Sequence, residues 1–360
     1  MKVLSLFDGI SCARVALERA GIKIEKYYAS EIDKYAIQIA QKNYPDTIQL
    51  GDIKGFDNEF LAIRQLTGNI DLIVGGSPCQ DLSIAKKDRK GLDGSRSGLF
   101  WEYVRILKEV KPKYFILENV ASMPKEAKQI ITETLGVEPI MINAALVSAQ
   151  NRKRLFWTNI PNVIQPKDRG ILLKDILEDG DTDRLKSYCI DANYFKGGSL
   201  KNYLEKSRRQ IVLKQSESRL YRIGQIGKGG QGDRIYSPNG KSVNLSANGG
   251  GRGAKTGLYA VSIRGRNIVN GKRKDTLGAK TKQRLEVGKP EKSHAITSVQ
   301  KDSLIMENYQ VRKLTPIECE RLQSLPDDYT SGISNSQRYK CLGNAFNVEV
   351  VKHILTFIPK

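Results

Sequence analysis

Long apolar runs are missing from these 360 residues, and no stretch approaches the length of a membrane span. The first residues, M-K-V-L-S-L-F-D-G, hold one lysine and a few apolar side chains without a small-residue cleavage site. They read as a first strand, and the protein as cytoplasmic. Cysteine is sparse and scattered: Cys12, Cys79, Cys189, Cys319 and Cys341 are an odd number with no C-x-x-C pair. That argues against a disulfide framework and against a zinc site, and no metal is expected. Histidine is scarcer still. With only His294 and His353, proton transfer at neutral pH must rest on other groups. Behind the first strand there is no G-x-G-x-x-G, only Phe7-Asp8-Gly9-Ile10-Ser11, which disfavours a pyrophosphate cofactor.

Positive charge, by contrast, is in surplus, at a net +20. Residues 182–313 hold 28 lysines and arginines against 10 acidic residues, while the rest of the chain balances 31 against 29. The same third carries more than half of the glycines. Segregation on this scale favours a polyanion partner over a merely solvated surface. An anionic membrane would call for an amphipathic apolar stripe, and none accompanies the charge. Nucleic acid is the expected partner.

Apolar runs and turn residues alternate along the first part of the chain. Residues 2–7 predict a strand, 12–20 a helix stopped by Gly21, and 26–30 a second strand. A helix over 34–42 has Asp33 as its N-cap and Pro45 beyond its end. A short strand at 48–50, a helix at 58–65 and a strand at 71–74 follow. This alternation implies βαβ units and a parallel sheet. Glu31, roughly twenty positions after the first glycine turn, is placed to accept ribose hydroxyls. Asp52, ending the next strand, is placed to accept from an adenine amino group. A cofactor with ribose and adenine but no phosphates fits the sparse loop; ordinary helix capping explains both carboxylates as well.

The chain is organised around residues 71–83, D-L-I-V-G-G-S-P-C-Q-D-L-S. Gly75 and Gly76 end the apolar strand, and Ser77-Pro78 turn the backbone so that Cys79 stands at its carboxyl end, where open parallel sheets bind ligands. Such a cysteine is either a nucleophile or a small apolar filler. The loop 86–98, K-K-D-R-K-G-L-D-G-S-R-S-G, is too charged and glycine-rich to be regular, and loops this long are usually functional or disordered. A helix over 99–109 and a strand over 113–117 lead to Glu118-Asn119-Val120. There Glu118 faces the crevice of Cys79 as an acid or hydrogen-bonding group, or caps the helix after Ser122. Strands at 139–146 and 155–158 flank S-A-Q-N-R-K-R, whose alternation places Gln150, Arg152 and Arg154 on one strand face. Three such groups bind an anion or a planar ligand, or form a solvated edge.

Near the other end, Thr315-Pro316-Ile317-Glu318 is a capping box with proline at the first helical position. A last helix over 347–357 has Val348, Val351, Ile354 and Leu355 on one face. The basic middle holds a weak duplication between 222–259 and 263–305, each with a basic residue, K-S and an alternating apolar tail, as hairpins have. Gly229-Gly230 and the run 249–251 mark turns. Ile223, Ile226, Ile235, Val243, Leu245, Leu258, Val261 and Ile263 supply a small core, against the alternative of a glycine-rich linker.

Taken together, G-G-S-P-C-Q-D-L-S, E-N-V and Q-N-R-K-R resemble, in order, the proline-cysteine, glutamate and Q-x-R-x-R motifs of the DNA cytosine-5 methyltransferases. L-S-L-F-D-G-I-S resembles that family's cofactor motif. R-K-L-T-P-I-E-C-E-R-L-Q-S-L-P-D-D-Y and L-G-N-A-F-N-V-E-V-V resemble its last two. The matches cover residues 1–160 and 311–360, and the catalytic half is most similar to the branch with the eukaryotic de novo enzymes. Two departures stand out: Ser11 replaces a second glycine, and Ala-Phe-Asn continues the final motif.

The resemblance implies an α/β, S-adenosylmethionine-dependent methyltransferase (Rossmann-like) fold with an inserted small β-rich target-recognition domain. Residues 1–180 and 312–360 would form the catalytic domain, closed by both chain ends, and 181–311 the basic insert. It implies S-adenosyl-L-methionine as cofactor, held by Phe7, Asp8, Gly9, Ile10, Ser11, Glu31, Ile32, Asp52, Ile53, Pro78, Asn344 and Ala345. Catalysis falls to Cys79, Glu118, Arg152 and Arg154, and substrate binding to Ser77, Gln80, Ser83, Asn119 and Gln150. The implied substrate is cytosine in duplex DNA, flipped out of the stack, with Cys79 adding at C6 and the 86–98 loop closing over it. A tRNA cytosine-5 methyltransferase of the same fold and a catalytically dead DNA-binding homologue are the competing readings. No nuclease motif is evident, so a restriction endonuclease would be a separate partner. A cytoplasmic, nucleoid-associated monomer of prokaryotic or viral origin completes the expectation.

Overall fold

The computed structural model describes residues 1–57, 66–77, 99–197, 203, 208–215, 222–225, 234–236, 261–266, 268–269, 272–273, 282–287 and 309–359. Pro78, Cys79, Gln80, Ser83, the helix expected at 58–65 and the 86–98 loop lie outside them, as does much of the basic middle. Two compact units divide the chain. The first takes Met1–Ile176, Leu185–Phe195 and Thr315–Lys360; the second takes Leu177–Arg184 and Lys196–Leu314. Among the described residues no helix is long and apolar enough to cross a membrane.

The first unit is built on a seven-stranded sheet: β1 (Lys2–Leu6), β2 (Lys26–Ser30), β3 (Ile48–Gln49), β4 (Leu72–Gly75), β5 (Tyr114–Val120), β6 (Ile140–Asn143) and β7 (Lys153–Thr158), in the spatial order β3-β2-β1-β4-β5-β7-β6. Strands β1 to β5 are parallel. All four residues of β4 are buried, as a central strand covered on both faces requires. Helices α1 (Cys12–Arg19), α2 (Lys34–Asn43), α3 (Leu99–Val110) and α4 (Lys125–Leu135) supply the crossovers among the described residues. Asp33 caps α2 through the amides of Tyr35 and Ala36. Phe100, Tyr103 and Ile106 of α3 meet Leu4, Ile73 and Trp157 of the sheet in one hydrophobic cluster.

The wholly parallel sheet expected from the alternation is corrected at one edge. β7 runs antiparallel to both β5 and β6. The strand expected over 139–146 stops at Asn143, whose Oδ1 accepts from the amides of Ala145 (3.1 Å) and Arg152 (3.0 Å). That carboxamide turns the chain into a 3-10 turn, Ala144–Leu146, and the return is too short for a crossover helix. Gln150 and Arg152 therefore precede β7 instead of sharing its face with Arg154. Residues 149–151 are drawn away by main-chain bonds to Ser187.

The C-terminal segment closes the same unit. Helix α5 (Pro316–Leu322) begins with the capping box, Thr315 and Glu318 satisfying each other's amides. Helices α6 (Asn335–Asn344) and α7 (Val348–Leu355) follow, and α7 packs on α1. Arg338 of α6 donates 2.8 Å to Glu320, a carboxylate with no exposed surface. Gly343 lies so close to the backbone of Asp191 and Ala192 that a Cβ would stand 2.2 Å from the Asp191 carbonyl carbon. Only glycine fits there.

The second unit, where described, is made of antiparallel pairs. β8 (Ile211–Gln215) pairs with β15 (Tyr309–Lys313), and β9 (Arg222–Gln225) with β10 (Arg234–Tyr236). β11 (Val261–Arg266) pairs with β14 (Lys282–Val287), and β12 (Ile268–Val269) with β13 (Lys272–Arg273). Arg312 binds Asp179 at 2.7 Å, and Asp181 exchanges backbone bonds with Leu213.

Candidate active site

A cleft of about 260 Å³ opens at the carboxyl ends of the parallel strands. One end is walled by the loop after β1. Phe7, Gly9 and Ser11 there take φ of 57°, 62° and 60°. Glycine adopts this left-handed backbone freely, whereas at Phe7 and Ser11 it costs about 1 kcal/mol or more each. Side chains beneath hold them in place. The Ser11 hydroxyl donates 2.5 Å to Asp8 Oδ2, and the Tyr27 hydroxyl 2.7 Å to Asp8 Oδ1. This answers how a serine stands where a second glycine is usual: its hydroxyl finds a buried acceptor one turn away. Burial holds the Asp8 carboxyl above the ordinary carboxylate range, with Ser11, Ser5 and Tyr27 pulling the other way. Asp8 and Ser11 thus face the interior and are not among the lining residues.

Glu31 ties this loop to the next. Its Oε2 accepts from the Gly9 amide at 2.8 Å, and Oε1 from the amides of Ile32 (2.7 Å) and Asp33 (2.8 Å). A carboxylate has about four acceptor positions, so roughly one remains for a ligand hydroxyl. Glu31 thus caps three amides and lines the cleft at the same time. Asp52 caps the 3-10 turn Ile53–Gly55 through the Lys54 amide (3.1 Å), and its Oδ2 has no partner among the described residues. Phe7, Gly9, Ile10, Ile32, Ile53 and Asn344 also line the cleft. Ile32 is 72% exposed, an apolar side chain left open beside the cleft.

The other end belongs to β4, β5 and β7. Antiparallel register sets Val120 opposite Arg154 and Glu118 opposite Phe156, so Glu118 and Arg154 share a face as diagonal neighbours. Arg154 Nε lies 2.7 Å from Glu118 Oε1, both side chains about 15% exposed. Gly76 leaves room for this pair: a Cβ there would stand 2.8 Å from the Phe346 ring and 3.1 Å from Glu118 Oε2. Next to it Asn119, buried, donates to the Ser77 hydroxyl (3.2 Å) and carbonyl (3.4 Å). These bonds fix the backbone immediately before Pro78-Cys79.

The two arginines of Q-N-R-K-R have different surroundings. The Arg152 guanidinium is buried and donates to the carbonyls of Ile190 (3.2 Å), Gly343 (3.2 Å) and Ala345 (2.8 Å), and to Cys189 Sγ (3.3 Å). Burial, with Arg154 nearby, lowers its proton affinity below the usual arginine value. Part of Arg152 still lines the cleft. Gln150 is consumed elsewhere: Oε1 accepts from the Ile190 amide at 2.9 Å and Nε2 reaches the Leu322 carbonyl. Neither Gln150, Asn119 nor Ala345 is among the lining residues. Sequence reasoning missed eight that are: Ser30, Asp33, Ala36, Gly76, Leu99, Val120, Cys341 and Gly343. Ser30 could have been found, because it ends β2 beside Glu31.

Nucleoside-sized space, two carboxylates at one end and an arginine-held glutamate at the other sit together at the carboxyl edge of an α/β sheet. The model of the C-5 cytosine-specific DNA methylases matches residues 1–360. The chain belongs to that family. It is a DNA (cytosine-5-)-methyltransferase, and membership implies S-adenosylmethionine as methyl donor. The enzyme is 30% identical to the type II methyltransferase M.HhaI of Haemophilus parahaemolyticus, over 98% of this chain and 93% of that one. It is 28% identical to the orphan methyltransferase M.SPRI of Bacillus phage SPR, over 98% and 96%. Among solved structures, the methyltransferase EhMeth of Entamoeba histolytica superposes with a TM-score of 0.57 at 15% identity, covering 99% of this chain and 97% of that one. A DNMT2 variant of Spodoptera frugiperda gives 0.55 at 17%, over 99% and 98%. Both likenesses are of fold.

The donor set fits the implied cofactor. An acceptor on Glu31, an open Asp52 oxygen and the exposed Ile32 face the cleft together.

Proposed function

We propose that the enzyme methylates C5 of cytosine within a particular duplex DNA sequence, on a base turned out of the stack, with Cys79 as the attacking thiolate. The observation that carries this reading is the Arg154–Glu118 pair, which shares a cleft with Gly76 and Ser77, the residues leading to Cys79. Glu31 and Asp52 would hold the ribose and adenine of S-adenosylmethionine, which supplies the electrophilic methyl group when bound. Cytosine C5 is a poor nucleophile until a sulfur lone pair adds at C6 and makes C5 enamine-like. Glu118, kept in place by Arg154, would contact N3 and the exocyclic amine and favour the charge that gathers on the ring. Asn119 and Ser77 act one step back, holding the root of the cysteine turn. After C5 is methylated, loss of its proton to a base expels the Cys79 thiolate and restores the double bond. Turning the base out costs a few kcal/mol, on the order of what unstacking requires.

The basic second unit supplies the grip on DNA and the choice of sequence in this reading. Its support is the concentration of 28 cationic against 10 acidic residues in 182–313. Methyl transfer from labelled S-adenosylmethionine to mixed genomic DNA, with bisulfite mapping, tests the whole. Sequence-restricted 5-methylcytosine that disappears in Cys79→Ala is expected. Transfer that survives in Cys79→Ala would remove the covalent step.

A further inference from the structure

Glu31, the carboxylate proposed to take the cofactor ribose, joins two turns at the carboxyl edge of the sheet. Its Oε2 takes the Gly9 amide of the β1–α1 loop, and its Oε1 the Ile32 and Asp33 amides of the β2–α2 turn. Both turns are gripped by one segment, residues 329–340, roughly three hundred positions later. The Tyr329 hydroxyl donates 2.7 Å to the Ile10 carbonyl, next to Gly9. Lys340 of α6 donates 2.6 Å from Nζ to Asp33 Oδ2, while Asp33 Oδ1 caps α2. Farther along α2, Gln38 donates to the Gly332 carbonyl, Lys42 to that of Ser331 and Asn43 to that of Tyr329. Those ties hold the body of the helix. Lys340 grips its first turn, where Glu31 is seated.

The fold needs little from the Lys340–Asp33 pair. The two side chains are 45% and 26% exposed, and ion pairs of that exposure add little stability. Nor does the cap need the charge, since asparagine caps a helix as well as aspartate does. What the pair sets is the direction of Asp33. Burial raises the Asp33 carboxyl, yet Lys340 and the Tyr35 amide outweigh it and hold it below the ordinary carboxylate value. We propose that Lys340 is a positioning residue for S-adenosylmethionine: through Asp33 it fixes the turn that aims Glu31 at the ribose hydroxyls. Helix α6 also reaches the cleft through Cys341, Gly343 and Asn344, so one helix both lines the site and braces Glu31. The assignment rests on the ribose role of Glu31 given above, and deepens it by naming what holds that carboxylate.

The test is a double-mutant cycle on the full chain with no DNA present. S-adenosylhomocysteine is the probe, titrated calorimetrically into wild type, Lys340→Met, Asp33→Asn and the double variant. Lys340→Met keeps the apolar stem and drops the charge; Asp33→Asn keeps the cap. Each single variant is expected to bind about 3–5-fold more weakly, the most that a pair of this exposure carries. The double variant should bind no more weakly than the singles, because the two residues act as one. In turnover the KM for S-adenosylmethionine should rise by the same factor while kcat and the KM for DNA hold. Melting temperatures should stay within about two degrees of wild type. Unchanged affinity in both single variants overturns the proposal. So do losses that add in the double variant, which would put Lys340 on the ligand itself. A fall of several degrees in melting temperature overturns it too, by making the pair structural. Glu31→Gln is titrated alongside. If it binds as tightly as wild type, the ribose reading has failed; if it binds weakly and Lys340→Met does not, only the brace has.

Discussion

Charges are matched in the sheet unit and massed in one sign along the basic middle of the chain. Glu118 meets Arg154, Asp33 meets Lys340 and the buried Glu320 meets Arg338, each at 2.8 Å or less. Residues 182–313, by contrast, hold 28 lysines and arginines against 10 acidic residues. A matched charge serves the architecture or holds a reacting group still. A surplus of one sign repels itself and makes sense when a third party neutralises it. The same side chain type, arginine, therefore means different things in the two regions, and the difference can be broken by substitution.

The largest effect should come where a matched cation is also buried. Arg152→Ala takes a donor from each of the carbonyls of Ile190, Gly343 and Ala345 and empties a buried site, at a cost of about 3–5 kcal/mol. Denaturant unfolding should show that loss, along with poor soluble yield. Arg154→Ala removes the ion pair in the cleft and should cost less than about 1.5 kcal/mol of stability. Its kcat/KM should nonetheless fall about 10–100-fold, because Glu118 loses its cation. Equal stability losses in the two variants would erase the division between a structural and a site arginine.

Glu118→Gln comes next. It keeps the size of the side chain but removes the charge, so stability should hold while kcat drops about 100-fold or more. A smaller third effect is expected from Gly76→Ala. The added methyl meets the Phe346 ring at 2.8 Å and Glu118 Oε2 at 3.1 Å, an overpacking worth about 1–3 kcal/mol. Because the clash falls on the paired glutamate, kcat should fall more than the KM for S-adenosylmethionine rises. The reverse split, with KM taking the change, would place Gly76 at the cofactor end of the cleft.

Strand ends are the legible part of this site. Glu31 and Asp52 follow apolar runs that had to be strands, and a carboxylate at the carboxyl end of a parallel strand has few other places to go. The capping box at Thr315 and the N-cap at Asp33 are readable because each is satisfied within four residues. What escapes depends on distant chain. The partners of Arg152 include the carbonyls of Gly343 and Ala345, almost two hundred positions away, which no local pattern announces. Gly343 itself is needed only because residues 191–192 lie against it. β7 turns antiparallel because of one carboxamide, Asn143, which composition and periodicity do not register. Asp8 stands in a cofactor-like motif, yet its acceptors are taken by Tyr27 and Ser11 from within.

That buried carboxyl gives the smallest effect and the finest test of matched charge, since Asp8 is ionisable and has hydroxyls for partners rather than a cation. Desolvation raises its pKa above the ordinary 3.8. A group raised in the folded state contributes stability that is fully present below its unfolded pKa. That contribution is lost as pH rises through the folded value. As pH rises above the ordinary value, then, the unfolded chain gives up this proton more readily than the fold does. Asp8→Asn removes the titration while still accepting from Tyr27, and its Nδ2 donates to the Ser11 hydroxyl. Unfolding curves of the two proteins from about pH 4 to 8 should diverge as pH rises, the variant gaining on wild type, and converge in acid. Parallel curves across that range would mean that the three hydroxyls below the β1–α1 loop solvate the charge as well as water does. Asp8 would then count among the matched charges after all.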